Sequence, residues 1–257
     1  MPWISVVGNV LRVAALFVGP GLVAMLLAAC GGESEASPTP APTAPTGEER
    51  AAAEPILKAA SLPGDDLPQG FTFQGERFLT NEESAAEGLD YAGAPTVEDL
   101  NRWGQISEYE VTYQREFPTT LTGATLSLEV TMTIYRDSTG ADENFEAVRQ
   151  QTSGPDYIKA LEQAFTEEGR DISMSPISFA TVGEDRMAFE FRYTMYSPNV
   201  QRDLDFVEQV IAIRRGRLIG VIDTLATGSP HPLEEVEAMA RKLDDRMKTA
   251  LEQAPAP

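Results

Sequence analysis

The sequence predicts one α+β domain, built on an antiparallel sheet of about six to seven strands with helices packed mainly on one face. Two observations lead to this fold class. Several segments alternate apolar and polar side chains with a period of two, which is typical of half-buried antiparallel strands. The helical segments are grouped along the chain and are not interleaved one by one between strands, as they are in parallel β-α-β units.

The alternation is most regular in three segments, residues 109–117, 124–134 and 187–195. In the second of these, apolar residues from Leu126 to Ile134 occupy every other position and face one side of the strand. The stretch between the first two segments is short enough for a hairpin. These three segments therefore predict strands with one face in the core and one polar face.

Residues 206–213 and 217–225 differ because they are apolar on both faces, and an Arg-Gly turn joins them. A hairpin at the centre of the sheet is the expected result, with the glycine at positive φ. Residues 71–79 and 172–182 are weaker strand candidates. Pro176 interrupts the second one, which places it at an edge of the sheet because proline cannot donate to a strand ladder.

Helical segments are indicated by apolar side chains three and four residues apart and by capping residues at their starts. The predicted segments are residues 48–60 with a break near Pro55, 80–88, 96–103, 141–151, 155–168 and 232–253. The apolar stripe of the last helix has two interpretations. It covers the sheet, or it forms a partner-binding seam.

The only cysteine, Cys30, lies between an apolar run and a polar one in "VAMLLAACGGESE". Residues 13–29 carry no charge and follow Arg12, as in a secretory signal. The tetrad Leu27-Ala28-Ala29-Cys30 resembles the lipobox of bacterial lipoproteins. That resemblance implies a diacylglycerol on Cys30 and cleavage just before it. A plain cleaved signal and a short membrane anchor are the alternatives. With one cysteine, no intramolecular disulfide forms.

The segment after Cys30, "GGESEASPTPAPTAPTG", is rich in Pro, Thr, Ala and Ser and cannot build a core. As polyproline II it reaches roughly 50 Å. We therefore expect a signal peptide at 1–29, a lipidated tether at 30–54 and an extracytoplasmic domain at 55–257, with its core at about 71–253. The expected location is the outer face of the cell membrane, or the outer membrane in a two-membrane envelope.

The chain is strongly acidic, with 20 basic and 40 acidic residues and a net charge of −20. Cleavage before Cys30 removes only Arg12 and leaves a net charge of −21. Such a surface repels the phosphates of nucleic acids and of anionic lipids. We therefore expect no nucleic-acid partner.

The residues that carry catalysis in other proteins are sparse. His231 is the only histidine, and we expect it to cap a helix or to be exposed. No nucleophile elbow, S-x-x-K motif or P-loop is present. Four acidic pairs are candidates for calcium or acid/base chemistry, but each is expected on the solvated surface. They are Asp65 with Asp66, Glu184 with Asp185, Asp203 with Asp205, and Asp244 with Asp245. The sequence therefore predicts no enzyme, no cofactor and no metal site.

Two sets of residues are candidates for binding. Arg214, Arg215 and Arg217 form a basic spot at a hairpin tip and suit an anionic partner, unless they only keep the tip soluble. An aromatic set either lines an apolar ligand cavity or packs in the core. The set is Phe71, Phe73, Phe78, Trp103, Tyr109, Tyr113, Phe189, Phe191 and Tyr193.

Three stretches, "VTMTIYRDSTGADENFEAV", "VGEDRMAFEF" and "VIAIRRGRLIGVI", resemble the extracytoplasmic domains of LpqN-type lipoproteins and of PknH-like kinase sensor modules over about residues 100–250. The resemblance implies an extracytoplasmic binding or sensing module. We therefore expect a non-catalytic, lipid-anchored lipoprotein that binds a small apolar ligand or an envelope protein. A protein-interaction module that organises an envelope complex is the alternative, and an enzyme using surface carboxylates is a weaker one.

Overall fold

The structure is a computed structural model that describes residues 43–87, 95–115, 125–153, 169–197 and 201–254, together with Tyr157 and Lys159. Cys30, most of the tether and most of the predicted helix at 155–168 lie outside these residues. The elements, in chain order, are α1 (Gly47–Ala60), a 3-10 turn (Gly64–Asp66), β1 (Phe71–Leu79), α2 (Asn81–Glu87), α3 (Val97–Arg102), β2 (Gln105–Arg115), β3 (Thr125–Tyr135), α4 (Ser138–Thr152), β4 (Gly169–Pro176), β5 (Asp185–Ser197), β6 (Arg202–Arg215), β7 (Leu218–Thr227) and α5 (Leu233–Gln253).

The seven strands form one sheet in the order β1-β2-β3-β7-β6-β5-β4, and every neighbouring pair is antiparallel. The predicted α+β class is therefore confirmed. The β6–β7 hairpin is central as expected, and Gly216 in its turn has φ +53°. The strand that ends at Pro176 lies at an edge, also as expected.

One face of the sheet, the α1–α5 face, carries the larger apolar core. The buried side chains of α1 and α5 pack there against alternate residues of the central strands, which include Leu128, Val130, Ile211 and Ile222. Each of these four side chains is fully buried. The stripe of α5 therefore covers the sheet, and the partner-binding seam was the wrong interpretation.

The opposite face, the α4 face, carries a second apolar cluster. Phe145 of α4 and Leu100 of α3 pack there with Val210, Ala212 and Val221 of the sheet. The helices are thus divided between the two faces, whereas the sequence predicted them mainly on one. The central strands are apolar on both sides and need a cover on each, which is the physical reason for the difference.

Helix α1 also differs from the prediction, because it runs through Pro55 without a break and crosses the expected tether boundary at residue 54. Ile56, Leu57 and Ala60 are buried on the α1–α5 face. Their burial outweighs the single backbone hydrogen bond that a proline removes from a helix. The packed part of the chain therefore includes α1 from Gly47 onward.

Two predicted helix starts are confirmed, those at Thr80 and Thr96, whereas α4 begins at Ser138, three residues before the predicted start at residue 141. Thr80 and Glu83 exchange reciprocal hydrogen bonds before α2, and Thr96 caps α3 in a capping box. Asp137 accepts a hydrogen bond from the Gly140 N–H at the start of α4. Within the described ranges, no helix combines the length and the apolar composition needed to cross a membrane.

Gly140 marks the closest approach between α4 and the rest of the fold. A Cβ at this position would lie 1.8 Å from the carbonyl oxygen of Trp103, which belongs to rigid backbone. We expect Gly140→Ala to lower the free energy of unfolding by about 1 to 3 kcal/mol or more, measured by urea denaturation. Gly47→Ala is the matched control because its Cβ would meet no atom within 4 Å. It should raise stability by about 0.5 kcal/mol. Equal effects of the two changes would contradict this packing.

Candidate binding site

A row of four carboxyl groups crosses the α4 face on four adjacent strands. We call it the acidic row: Glu110 on β2, Glu129 on β3, Asp223 on β7 and Glu208 on β6. Glu129 lies directly opposite Asp223 in the β3–β7 ladder. Glu110 pairs directly with the β3 residue two positions from Glu129, so it lies diagonally from Glu129. Glu208 pairs directly with the β7 residue two positions from Asp223, so it lies diagonally from Asp223. Neighbours in such positions lie about 5 to 8 Å apart.

All four carboxyl groups are buried. The exposed fractions are 4% for Glu110, 8% for Glu129, 1% for Asp223 and 1% for Glu208. Charged side chains are almost never buried to this extent unless they are paired. The acidic row is therefore the feature of the described residues that most needs a functional explanation.

Only the outer end of the row has a basic partner. The Arg77 Nε donates a hydrogen bond to Glu110 at 2.6 Å, and the two side chains form an ion pair. Within the described part of the chain, Glu129, Asp223 and Glu208 form no ion pair. Apart from the contact between Asp223 and Glu208 themselves, no oxygen of either side chain accepts a hydrogen bond from a described donor group. We call these three the inner carboxyl groups.

Burial raises the pKa of each inner carboxyl group. For Glu208, burial raises the pKa to about 8, with repulsion from Glu129 adding to it and a hydrogen bond with Asp223 opposing it. Burial and the neighbouring Glu208 raise the pKa of Asp223 well above its usual range. Burial and the charges of Glu110 and Asp223 do the same for Glu129. Burial therefore favours the protonated form of all three inner carboxyl groups, in which they carry no charge.

The surroundings of the inner carboxyl groups are apolar and aromatic. Phe191 lies directly across from Glu208 in the β5–β6 ladder. Tyr193 stacks on Phe206 at 5.5 Å between ring centroids, one row further along the same face. The hydroxyl of Ser127 is fully buried on this face, two residues from Glu129, and has no hydrogen-bond partner among the described residues.

The sequence contained a signal for this row that the pattern analysis missed. Residues 206–213 and 217–225 were interpreted as apolar on both faces, yet Glu208 and Asp223 each interrupt one of these runs. A carboxyl group in a strand buried on both sides has no solvated face to occupy. Glu110 and Glu129 were assigned to a polar outer face, which is in fact covered.

The arginines at the β6–β7 tip are largely engaged within the chain. Arg214 forms ion pairs with Asp142 at 3.2 Å and Glu184 at 3.1 Å. The Arg215 Nη2 donates to Asp244 at 2.7 Å. Arg217 is partly exposed in the turn. A contact of Arg214, Arg215 and Arg217 with an anionic partner stays a prediction, and it would compete with these internal ion pairs.

The four acidic pairs singled out in the sequence lie outside the row. Their members are mostly exposed or paired with arginine and lysine, as with Asp66 near Arg246 and Asp185 beside Arg149. Asp205 accepts a hydrogen bond from the Thr194 hydroxyl at 2.9 Å. The solvated-surface interpretation therefore fits these pairs.

The prediction for His231 is wrong, because this side chain neither caps a helix nor is exposed. The side chain is buried, and its Nε2 lies 3.1 Å from a carboxylate oxygen of Glu235. The α5 N-cap is Pro232, without a side-chain hydrogen bond. Burial lowers the pKa of His231, and attraction to Glu235 only partly offsets that effect. The ring packs edge-on against Phe71.

The aromatic set does not line one cavity, because its members lie on both faces of the sheet. Tyr109 and Tyr113 belong to the α1–α5 core, whereas Phe189 and Phe191 belong to the α4 face. Phe73 is 57% exposed. An open pocket of about 340 Å³ lies elsewhere, against α5. Its lining residues are Asp66, Leu67, Pro68, Gln69, Glu235, Ala238, Met239 and Lys242.

The described residues contain no group of three or more His, Cys, Asp or Glu side chains arranged to hold a metal ion. The acidic row is spread over neighbouring strands about 4.8 Å apart and does not converge on one point. Chemically, the carboxyl groups of the acidic row can bind protons or can neutralise the charge of a bound cation.

Comparisons with known proteins add little to this geometry. No protein-family model matches the chain, and no curated protein matches it. Among solved structures, the chain is similar to the crystal structure of the extracellular domain of PknH from Mycobacterium tuberculosis, with 7% sequence identity and a TM-score of 0.41. The match covers 80% of this chain and 98% of that one. Such a likeness is too weak to carry an argument about function.

The raised pKa values predict a pH-dependent stability. In the native state Glu208 keeps its proton up to about pH 8, whereas in the unfolded chain it loses the proton near 4.5. Its contribution to stability is therefore fully present below pH 4.5 and is lost as the pH rises through 8. We expect the unfolding free energy of the wild type to fall between pH 5 and 8 relative to that of Glu208→Gln, measured by urea denaturation.

The comparison between the two proteins cancels the titration of groups remote from Glu208, including that of His231, and it reports Glu208 together with the carboxyl groups beside it. Glu252→Gln removes an exposed carboxylate on α5 and is the control, with no pH-dependent difference from the wild type. A constant offset between wild type and Glu208→Gln across the window would contradict the protonated row.

Proposed function

We propose that the chain is a lipid-anchored, extracytoplasmic lipoprotein of a bacterial cell envelope whose folded domain binds a ligand and has no catalytic activity. The observation that carries the binding function is the set of three inner carboxyl groups, buried on the α4 face without an ion-pair partner among the described residues. A buried, unpaired carboxyl group destabilises a fold because its desolvation is not compensated, and a ligand that binds there would supply the missing partner.

The location rests on the sequence around Cys30. The lipobox supplies a covalent diacylglycerol, whose two acyl chains are sufficient for stable anchoring. The tether that follows ends where α1 begins, at Gly47. A spacer of that length holds a strongly acidic domain away from a negatively charged membrane surface.

A protein-interaction module is the second candidate, and one observation favours it. Strand β1 is an edge strand, and its Phe73 is 57% exposed. An edge strand of the described sheet, beside an exposed aromatic side chain, suits the addition of a strand from a partner. Arg214, Arg215 and Arg217 would serve this candidate as an anionic contact at the hairpin tip.

Mass spectrometry of the protein purified from its native membrane tests the location. We expect the mature chain to begin at Cys30 and to carry a diacylglycerol on the sulfur, because the lipobox directs both steps. Cys30→Ala should stay unprocessed and unlipidated. A wild-type chain that keeps Met1 and a free thiol would contradict the anchored lipoprotein.

Small molecules that co-purify with the domain test the binding function. We expect the wild type from native membranes to carry a ligand that is lost from Glu208→Gln/Asp223→Asn, because the amides keep the shape of the row and remove two of its three inner titratable groups. Glu252→Gln should retain the ligand. Identical extracts from all three proteins would argue against binding at the acidic row.

A further inference from the structure

A second binding site, separate from the acidic row, follows from the open pocket against α5. We propose that this pocket binds a small zwitterion about the length of a dipeptide, with its ammonium group at Glu235 and its carboxylate at Lys242. The inference goes beyond the proposed function, because α5 covers the face of the sheet opposite to the acidic row.

The pocket has room for a ligand of this size. Its volume of about 340 Å³ lies near the lower end of the range of ligand pockets, about 300 to 1,000 Å³. One wall is the segment 66–69 between the 3-10 turn and β1, and the other is a single face of α5. Leu67, Pro68, Ala238 and Met239 give the pocket an apolar lining, which suits an apolar side chain of the ligand.

The wall opposite α5 is already fixed in the chain without a ligand. The Tyr113 hydroxyl donates a hydrogen bond to the Leu62 carbonyl oxygen at 2.8 Å. The Lys242 Nζ donates a hydrogen bond to the Asp66 carbonyl oxygen, also at 2.8 Å. A preformed wall lowers the cost of ordering the site when a ligand binds.

The two ends of the pocket carry opposite charge. At one end, Lys242 and Arg246 lie 3.6 Å and 3.4 Å from the Asp66 carboxylate, so two cations accompany one anion. At the other end, Glu235 lies 3.1 Å from His231, and within the described ranges no lysine or arginine forms an ion pair with it. Burial lowers the pKa of His231 and favours its uncharged ring, which leaves the charge of Glu235 unbalanced. A ligand with one group of each sign complements both ends.

The helix sets the length of the ligand. Glu235 and Lys242 are seven residues apart, which is about 10.5 Å along a helix axis. Two extended residues span at most about 7 Å, and an ion-pair contact at each end covers the remainder. A single amino acid is too short to reach both groups. Lys242 keeps donors for the ligand, because an ammonium group has three N–H donors and Asp66 uses one of them.

The test uses the full-length chain in a non-ionic detergent, with L-alanyl-L-leucine as the probe and isothermal titration calorimetry as the measurement. We expect the dipeptide to bind the wild type more tightly than free leucine does. Acetylation of its amino group or amidation of its carboxyl group should each weaken binding by roughly two- to fivefold, the contribution of a partly exposed ion pair. Added salt should weaken the binding of the dipeptide for the same reason.

Charge variants assign each end of the ligand. In Glu235→Gln, acetylation of the dipeptide should no longer weaken binding, and in Lys242→Gln amidation should no longer do so, because the partner is already gone. A purely structural effect of either substitution would instead weaken the dipeptide and both derivatives alike. Glu234→Gln and Lys248→Gln are the matched controls, since both residues are exposed on α5 and do not line the pocket.

Ala238→Phe tests the position of the site by filling it. Ala238 is exposed on α5 and lines the pocket, so the phenyl ring should abolish binding while circular dichroism and the unfolding midpoint stay as in the wild type. Thr249→Phe, exposed on the same helix outside the pocket, should bind the dipeptide like the wild type. If Ala238→Phe does not fold, Ala238→Gln replaces it with a smaller side chain at the same position.

The outcomes separate this inference from the proposed function. Dipeptide binding that is unchanged in Ala238→Phe overturns the site, and equal affinities for the dipeptide and its two derivatives overturn the zwitterion. A wild type that gives no heat of binding with the dipeptide overturns the inference as a whole. The proposed function is judged separately, by the molecule lost from Glu208→Gln/Asp223→Asn. A co-purified molecule lost from Ala238→Phe but kept by that double variant supports the pocket and argues against binding at the row.

Discussion

The structure depends on how a folded protein tolerates carboxyl groups that water cannot reach. Glu129, Asp223 and Glu208 lie on one face of a sheet whose central strands are otherwise apolar. An isolated ionised carboxylate in such surroundings is unstable, so the group holds a proton or acquires a counter-charge. In the domain alone, burial favours the protonated form of these groups. The stability of this region of the molecule therefore depends on pH.

The rest of the fold compensates for this region. Leu128, Val130, Ile211 and Ile222 are fully buried on the opposite face beneath α1 and α5. Each such side chain contributes about 1.5 to 3 kcal/mol when it is removed from water. A few of them offset the several kcal/mol that unpaired polar groups cost. A site with weak local stability is therefore held on a sheet whose other face is strongly stabilised.

Sequence reasoning recovered most of the fold, because strand alternation and helix caps are local signals. The capping pair Thr80 and Glu83 and the Gly216 turn are examples. The division of helices between faces was missed, because the period of a strand does not show what covers each side. The site was missed for a related reason. Its four carboxyl groups are spread over residues 110 to 223 and become neighbours only through strand pairing. The acidic pairs that are adjacent in sequence lie mostly on the surface.

The order of the strands has a consequence for how the chain assembles. Strands β1 to β3 and strands β4 to β7 each pair within their own part of the chain, and within the sheet the two parts pair only along the β3–β7 ladder. Closing that seam requires the longest loop in the sheet and is entropically the most expensive pairing. Glu129 faces Asp223 across it, so two acidic side chains oppose each other at the pairing with the largest separation along the chain. Acidic conditions, which neutralise both side chains in the unfolded chain, therefore remove an electrostatic repulsion that opposes this pairing.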